Sequence, residues 1–484
     1  MYDDKTICKC TAFTAVFVEK NGFILSFFST DVHIKCAIIP REIAYIAVIK
    51  ALSQVKKILL IGAGKSATVL IEYLKKKCLE HDWHLTVADN DLKLAQNKLG
   101  GAINTTAACI NIHNKEQTTA FILQVDIVIS MLPAALHFLV AQVCMETGRH
   151  LLTASYVDPQ LRTSALTIQQ KGLLFLCEMG LDPGIDHMSA MLLIHRIQKN
   201  GGEIFSFHSH CGGLVAPESD NNPWHYKISW NPRNIILAGK TGAVYKSEGR
   251  IIQLPYELLF DENRIIEVPG HGLYAWYPNR DAVSYSKRYG LEHCDTFIRT
   301  TLRHPDFCLG WKKIVDLKLT DENKRYDTTR LSYAAFFKQH LAYNRLIDDA
   351  NPKQKMLLSY LGLYSNEIIG KGLLSAVEIL QSCAENKLML QSGDRDMIIM
   401  MHEIGYKNGG TQNKITSSLV VKGNNNLETA MAKTVGLPLG IAAVMILKGE
   451  IRLTGLHIPV LPEIYEPVLK ELENEGIIFT EISF

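Results

Sequence analysis

The apolar run Ile58-Leu59-Leu60-Ile61 stops at Gly62-Ala63-Gly64, and polar and apolar positions then alternate with helical spacing over residues 68–77. A second apolar run, "WHLTVAD", ends in Asp89. Strand-like and helix-like stretches go on alternating to about residue 180, with strands predicted at 107–114, 125–133, 149–156 and 173–184. This alternation predicts a parallel sheet covered by helices. The strand ends of such a sheet open on one ligand crevice, and Asn111, Ser130, Ser155, Tyr156 and Asp182 stand at those ends.

The pattern changes after His187. A helix is predicted over 186–199. The pieces "EIFSFHSHCGGLVAPE", "HYKISWNPRNIILAG", "GHGLYAWYPNRDAVSY" and "CDTFIRTTLRHPDF" then read as strands joined by loops. They predict a sheet-rich domain over 186–320, extended by "DMIIMMHEIGY" and "ITSSLVVKG" over 395–427. Residues 321–394 carry helical periodicity and read as a small insert, and the tail from about 428 to 484 is helical again. Residues 1–54 precede what looks like a complete first strand. They read either as an extra helix or strand packed on the sheet or as a leader before a functional start near Val55.

The glycine turn admits two chemistries. Gly64-Lys65-Ser66 resembles the end of a phosphate-wrapping P-loop, which needs a glycine five residues before Gly64. Leu59 stands there, inside the apolar run, so that loop cannot form. The dinucleotide turn fits. Gly62 makes the tight turn, Gly64 lets backbone approach a pyrophosphate, Ala67 allows close helix–strand packing, and Asp89 ends the second strand where a ribose hydroxyl is gripped.

Composition narrows the rest. The 484 residues are 47% hydrophobic and 21% charged, which are globular values and suggest two to four domains. A net charge of +2 offers no field for nucleic acid or an anionic membrane. Eleven scattered cysteines without a Cys-x-x-Cys pair suggest reduced thiols and a cytoplasmic protein. The apolar stretch "GLPLGIAAVMILKG" contains Pro438 and is too short to span a bilayer, so no membrane partner is expected.

His208, His210 and Cys211 lie close, but sheet packing explains them better than a metal, and no metal is expected. Cys177 reads as a small core residue, while Cys211, before Gly212-Gly213, is the better active-site candidate. Arg233, Arg280, Arg299 and Arg303 sit beside aromatic, proline or asparagine residues, which suggests a site for carboxylates.

The segments "TASYVDPQLR" (153–162), "EMGLDPGIDHMSA" (178–190), "CGGLVAPESDNNPWHYKISWNPR" (211–233), "YPNRD" (277–281), "RTTLRHPDF" (299–307) and "AMAKTVGLP" (430–438) resemble the glutamate-forming branch of the saccharopine dehydrogenase family, in collinear order from about residue 55 to 484. The resemblance implies an α/β fold: an interrupted Rossmann domain (55–185, completed by helices at about 428–484), a mixed-sheet α/β substrate and dimerisation domain (186–320 and 395–427), and a small all-helical insert (321–394). It leaves residues 1–54 uncovered. It also implies an oxidoreductase acting on a CH–NH bond. Saccharopine is oxidised at the lysine-derived carbon, and the imine is hydrolysed to 2-aminoadipate 6-semialdehyde and glutamate. The alternative is a carboxynorspermidine-type enzyme of the same superfamily, and the "TLR" arginine favours saccharopine. A cofactor-binding protein without catalysis would lack Asp182 or the arginines.

By motif, the resemblance makes Asp182, Tyr156 and Cys211 the catalytic candidates. Ser155, Tyr156, Arg280, Thr301, Leu302 and Arg303 become substrate contacts. The cofactor, NAD or NADP, is expected against Gly62, Gly64, Lys65, Ser66, Ala67, Asp89 and Asn90 on one side. On the other it is expected against Asn111, Ser130, Met131, Leu132, Leu181, Asp182 and Arg233. Asp89 and Asp91 would repel a 2′-phosphate, so NAD is expected over NADP. The expected partners are a small-molecule substrate and a second copy of the chain.

Overall fold

The computed structural model describes residues 55–261 and 264–483, with the backbone of four strands nearer the N-terminus. Residues Met1–Lys56 and Lys57–Phe484 form two compact units. In the first, Cys8–Lys9, Thr14–Glu19, Gly22–Phe27 and Ile38–Ile39 pair antiparallel in chain order. Whether this segment packs on the larger sheet concerns residues outside those described.

The second unit opens with a seven-stranded parallel sheet. From one edge its strands are Gly455–His457, Leu174–Leu176, His150–Thr153, Ile127–Ser130, Lys57–Ile61, His84–Asp89 and Thr105–Cys109. The central strands are apolar on both faces because helices cover both, and Ile58 through Ile61 are fully buried. The third strand ends at Cys109, short of the predicted 114, so Asn111 lies in the loop that follows. The C-terminal tail closes this domain. Helix Ala430–Lys448 packs along helix Thr68–His81, and Gly455–His457 supplies the edge strand. By length and composition that apolar helix could cross a membrane, but most of it is buried within this fold.

A second, mixed sheet contains the strands Glu203–Val215, Thr296–Arg303, Asp396–Asn408 and Thr411–Lys422. Its outer strand Phe479–Ser483 lies in a tail expected to be helical throughout, and it pairs antiparallel with Thr411–Lys422. The segment read as a strand around "ISWNPRNII" is instead the short helix Pro232–Ile236. Pro232 occupies its first turn and the Asn231 side chain accepts from the Arg233 amide. Helices Tyr333–Asn344, Pro352–Tyr360 and Ala376–Leu388 build a separate core with Trp224, Trp311 and Phe336. Helix Ile185–Lys199 leads from the parallel sheet to the mixed one.

Candidate active site

The glycine turn is built from the first two strands. Gly62 has φ +103°, and a Cβ there would come within 3.0 Å of the Met131 carbonyl, so no side chain fits. Its amide donates to Ala88 O at 2.8 Å, and the Ala63 amide donates to Asp89 Oδ2 at 2.7 Å. Asp89 Oδ1 accepts from the Asp91 amide at 3.0 Å, so the acid expected at a ribose also holds the turn in shape. A Cβ on Gly64 would meet nothing within 4 Å. Backbone at Gly64 is therefore open to a phosphate, and Lys65, Ser66 and Ala67 form the first turn leading into helix Thr68–His81. This cradle fits a dinucleotide. Met131 and Leu132 back the turn, Asn90 and Asn111 are exposed at the neighbouring strand ends, and Leu181 is buried.

A buried charge cluster gathers residues that follow strands His150–Thr153 and Leu174–Leu176. Gly184 has φ +148°, and its position leaves no room for a Cβ against Gly180. The loop so formed sets Asp182 ahead of helix Ile185–Lys199 and Asp186 in its first turn. Arg299, on strand Thr296–Arg303, bridges them: its Nη2 lies 2.6 Å from Asp182 Oδ1 and 2.7 Å from Asp186 Oδ2. Tyr156 Oη stands 3.5 Å from Asp182 and from Arg299. Arg280 has φ +50° and holds its guanidinium 5.0 Å from the centre of the Tyr156 ring.

The two carboxyls are driven apart. Burial raises the pKa of Asp182, with the Asp186 charge adding to it against Arg299 and His187. Burial also works against ionisation of Asp186, but His187, Arg299 and the Gly184 amide outweigh it and hold Asp186 below the usual carboxylate range. Two carboxyls split in this way are an acid–base assignment: Asp182 can carry a proton and Asp186 is a fixed charge. Behind them, Glu178 accepts from Tyr285 Oη at 2.9 Å and contacts His187 Nε2 at 2.9 Å, all deeply buried.

Alternation along strand Thr296–Arg303 puts Arg299, Thr301 and Arg303 on one face. The expectation for Leu302 is corrected: its side chain takes the opposite face and is fully buried with Leu214 and Ile399. Arg303 is 5% exposed and reaches the carbonyls of Leu302 at 2.7 Å and Gly213 at 3.5 Å. It makes no ion pair with a described carboxylate. Arg303 Nε and Arg299 Nη1 are buried without a hydrogen-bond partner among the described residues.

Other expectations change with the geometry. Burial raises the Tyr156 phenol well above its usual pKa, so it stays protonated and acts as a donor rather than a base. Cys211 is buried, and desolvation together with Asp182 and Asp186 pushes its thiol well above the ordinary value; it pairs in register with Thr301 as a neutral neighbour, not a base. Ser130 is fully buried and spends its hydroxyl on His137, so its side chain is not a cofactor contact. Arg233 forms an ion pair with Glu322, beside Lys240, and among the described residues no hydrogen bond or ion pair ties it to the glycine turn. His208 and His210 stack on one strand face, with His210 bonded to Thr300 Oγ1 at 2.7 Å. His225, His304 and Asp306 lie close enough to share an ion. However, Asp306 already pairs with Lys353 at 2.8 Å, and His304 Nδ1 accepts from the Asp306 amide.

Arg299 was legible as one of four arginines in suggestive settings, and its alternation with Thr301 and Arg303 marks the shared face. Glu178, Asp186 and His187 carried no separate signal, since titratable residues in an apolar stretch do not show which neighbours they will meet.

Known proteins similar to this chain point to one family. The family model described as "Saccharopine dehydrogenase NADP binding domain" matches residues 58–176, and "Saccharopine dehydrogenase C-terminal domain" matches 180–477. The chain is 31% identical over 444 residues to saccharopine dehydrogenase [NADP(+), L-glutamate-forming] of Schizosaccharomyces pombe, covering 87% of this chain and 97% of that one. It is 33% identical over 448 residues to the mitochondrial alpha-aminoadipic semialdehyde synthase of Bos taurus, covering 88% of this chain but 47% of the bovine protein. The chain thus spans about half the length of that relative. The structure of apo saccharopine dehydrogenase (L-Glu forming) from Saccharomyces cerevisiae superposes with TM-score 0.80 at 29% identity, covering 89% of this chain and all of that one.

Proposed function

The chain belongs to the saccharopine dehydrogenase family, and from that premise we propose that it oxidises saccharopine with a nicotinamide dinucleotide and releases L-glutamate and 2-aminoadipate 6-semialdehyde. The observation that carries the reading is the buried guanidinium pair with unspent donors, Arg303 Nε and Arg299 Nη1. Arg303 has no carboxylate partner among the described residues, which is costly for a buried cation, and a ligand carboxylate removes that cost; Arg299, already paired with Asp182 and Asp186, offers one further N–H. Saccharopine carries three carboxylates and carboxynorspermidine one. Arg280, Arg299 and Arg303 together match the first.

The glycine turn, Lys65, Ser66 and Asp89 would hold the dinucleotide, which when bound supplies the hydride acceptor. The protein's residues handle protons and position. Asp182, ionised, takes the proton from the secondary amine; hydride loss from the lysine-derived carbon then gives the imine. Once that proton has passed to solvent, the same carboxylate takes a proton from the water that attacks the imine, and collapse of the resulting carbinolamine releases glutamate. Tyr156 Oη donates to the developing amine or alkoxide. Arg299, fixed by Asp186, holds the carboxyl in place.

The same reading includes a preference for NAD over NADP, supported by Asp89 and Asp91 at the second strand end, against which Lys93, the one cation in residues 89–93, would favour a 2′-phosphate in part. It also includes a homodimer, a cytoplasmic location and no membrane or nucleic-acid partner. The test is a steady-state assay of saccharopine and carboxynorspermidine with each cofactor. Turnover of saccharopine is expected, and faster turnover of carboxynorspermidine overturns the reading.

A further inference from the structure

Ser130 ends strand Ile127–Ser130, and Ser155 follows the neighbouring strand His150–Thr153 by two residues. His137, at the start of helix His137–Thr147, stands between them. Its Nδ1 lies 2.8 Å from Ser130 Oγ and its Nε2 lies 2.8 Å from Ser155 Oγ. Ser130 is fully buried and His137 nearly so, while Ser155 stays partly open. We infer that His137 is a positioning residue that, anchored on Ser130, holds the Ser155 hydroxyl with Nε2 so that its proton points at a carboxylate of the substrate. The inference rests on the saccharopine reading for the identity of that carboxylate.

The polarity of the chain follows from proton counting. Burial pushes the His137 imidazole down to about 4, so the ring is neutral near pH 7 and carries a single N–H. One ring nitrogen donates and the other accepts. A carboxylate only accepts, so Ser155 must spend its proton on the substrate and accept from Nε2–H. Nδ1 is then the acceptor, and Ser130 donates to it. The buried Ser130 thereby fixes the tautomer, and the tautomer fixes the Ser155 hydroxyl.

The experiment uses the full chain with Ser155→Ala, His137→Asn, His137→Gln and the double variant Ser155→Ala/His137→Asn. The amide of Gln reaches where Nε2 stood, and that of Asn where Nδ1 stood. Ser155→Ala should lower kcat/KM for saccharopine about tenfold, the loss of one hydrogen bond to a charged group, without changing cofactor affinity. His137→Asn should fall to the same level, with no further loss in the double variant, and His137→Gln should recover most of the activity. Equal losses in the Asn and Gln variants, or additive losses in the double variant, overturn the inference.

Histidine 15N shifts of the wild type and Ser155→Ala decide the same point if the His137 variants do not fold. A protonated Nε2 whose shift moves in Ser155→Ala supports the link, and a protonated Nδ1 or an unmoved Nε2 refutes it. Absence of saccharopine turnover in the wild type would sink the proposed function instead and leave the nitrogen shifts to judge His137.

Discussion

Asp182 and Asp186 share one nitrogen of Arg299, at 2.6 Å and 2.7 Å, yet their proton affinities are pushed in opposite directions. Asp186 meets His187, the guanidinium and the Gly184 amide, whereas Asp182 meets only Arg299 and Tyr156 among the described side chains and stays partly exposed. One fixed charge and one exchangeable proton in the same cluster are what amine oxidation followed by imine hydrolysis requires.

Asp182→Asn tests the proton carrier. The amide preserves shape but cannot accept the amine proton, so kcat should fall about 100-fold or more while thermal stability stays near that of the wild type. Circular dichroism melts and single-turnover rates check this. A loss of stability with unchanged kcat in the folded fraction would reduce Asp182 to a structural role.

Asp186→Asn tests the fixed charge through pH. Activity depends on ionised Asp182, so kcat/KM rises with pH as Asp182 loses its proton. The Asp186 charge raises the Asp182 pKa, and Arg299 divides its attraction between the two. Neutralising Asp186 removes the repulsion and leaves Arg299 to Asp182. Both effects lower the Asp182 pKa, and the acid limb should move to lower pH. A limb that stays in place or moves upward contradicts the assignment.

Arg280→Ala tests carboxylate binding at a position where folding is not at stake, because the Arg280 side chain is exposed and, among the described residues, makes no ion pair and lies over the Tyr156 ring. KM for saccharopine should rise about tenfold, as expected for one partly screened charge pair. Cofactor affinity, measured by fluorescence of the reduced nucleotide, should stay within about twofold.

Asp89→Ser tests cofactor choice. The wild type is expected to prefer NAD over NADP by at least about tenfold in kcat/KM, and the variant to lose most of that preference. The Ala63 and Asp91 amides also rely on this carboxylate, so activity with NAD should drop as well. A wild type that uses NADP equally well refutes the electrostatic argument and leaves the family assignment intact.

The sequence was most informative where local rules govern. The apolar strand, Gly62 and the terminal Asp89 determine the cofactor turn within 32 residues, and the long motifs contain Asp182, Tyr156 and Arg280, which the structure brings together. What it did not show depends on tertiary meeting. Arg299 and Asp186 are 113 residues apart, Glu178 and Tyr285 are 107 apart, and nothing local encodes either contact. Leu302 shows the converse. A contiguous motif suggested three contacts, but the period of two along a strand allows only Thr301 and Arg303 to share a face. Asn231 and Pro232 likewise converted an apolar run into a helix start that hydrophobic pattern alone had read as a strand.

The central claim is tested most directly by saccharopine carrying two deuterons on the lysine-derived carbon of its C–N–C bridge. Oxidation at that carbon followed by hydrolysis predicts one deuteron in the reduced nicotinamide, one retained in 2-aminoadipate 6-semialdehyde, and unlabelled glutamate in equal amount. Lysine that keeps both deuterons, formed together with 2-oxoglutarate and an unlabelled reduced cofactor, would contradict the account.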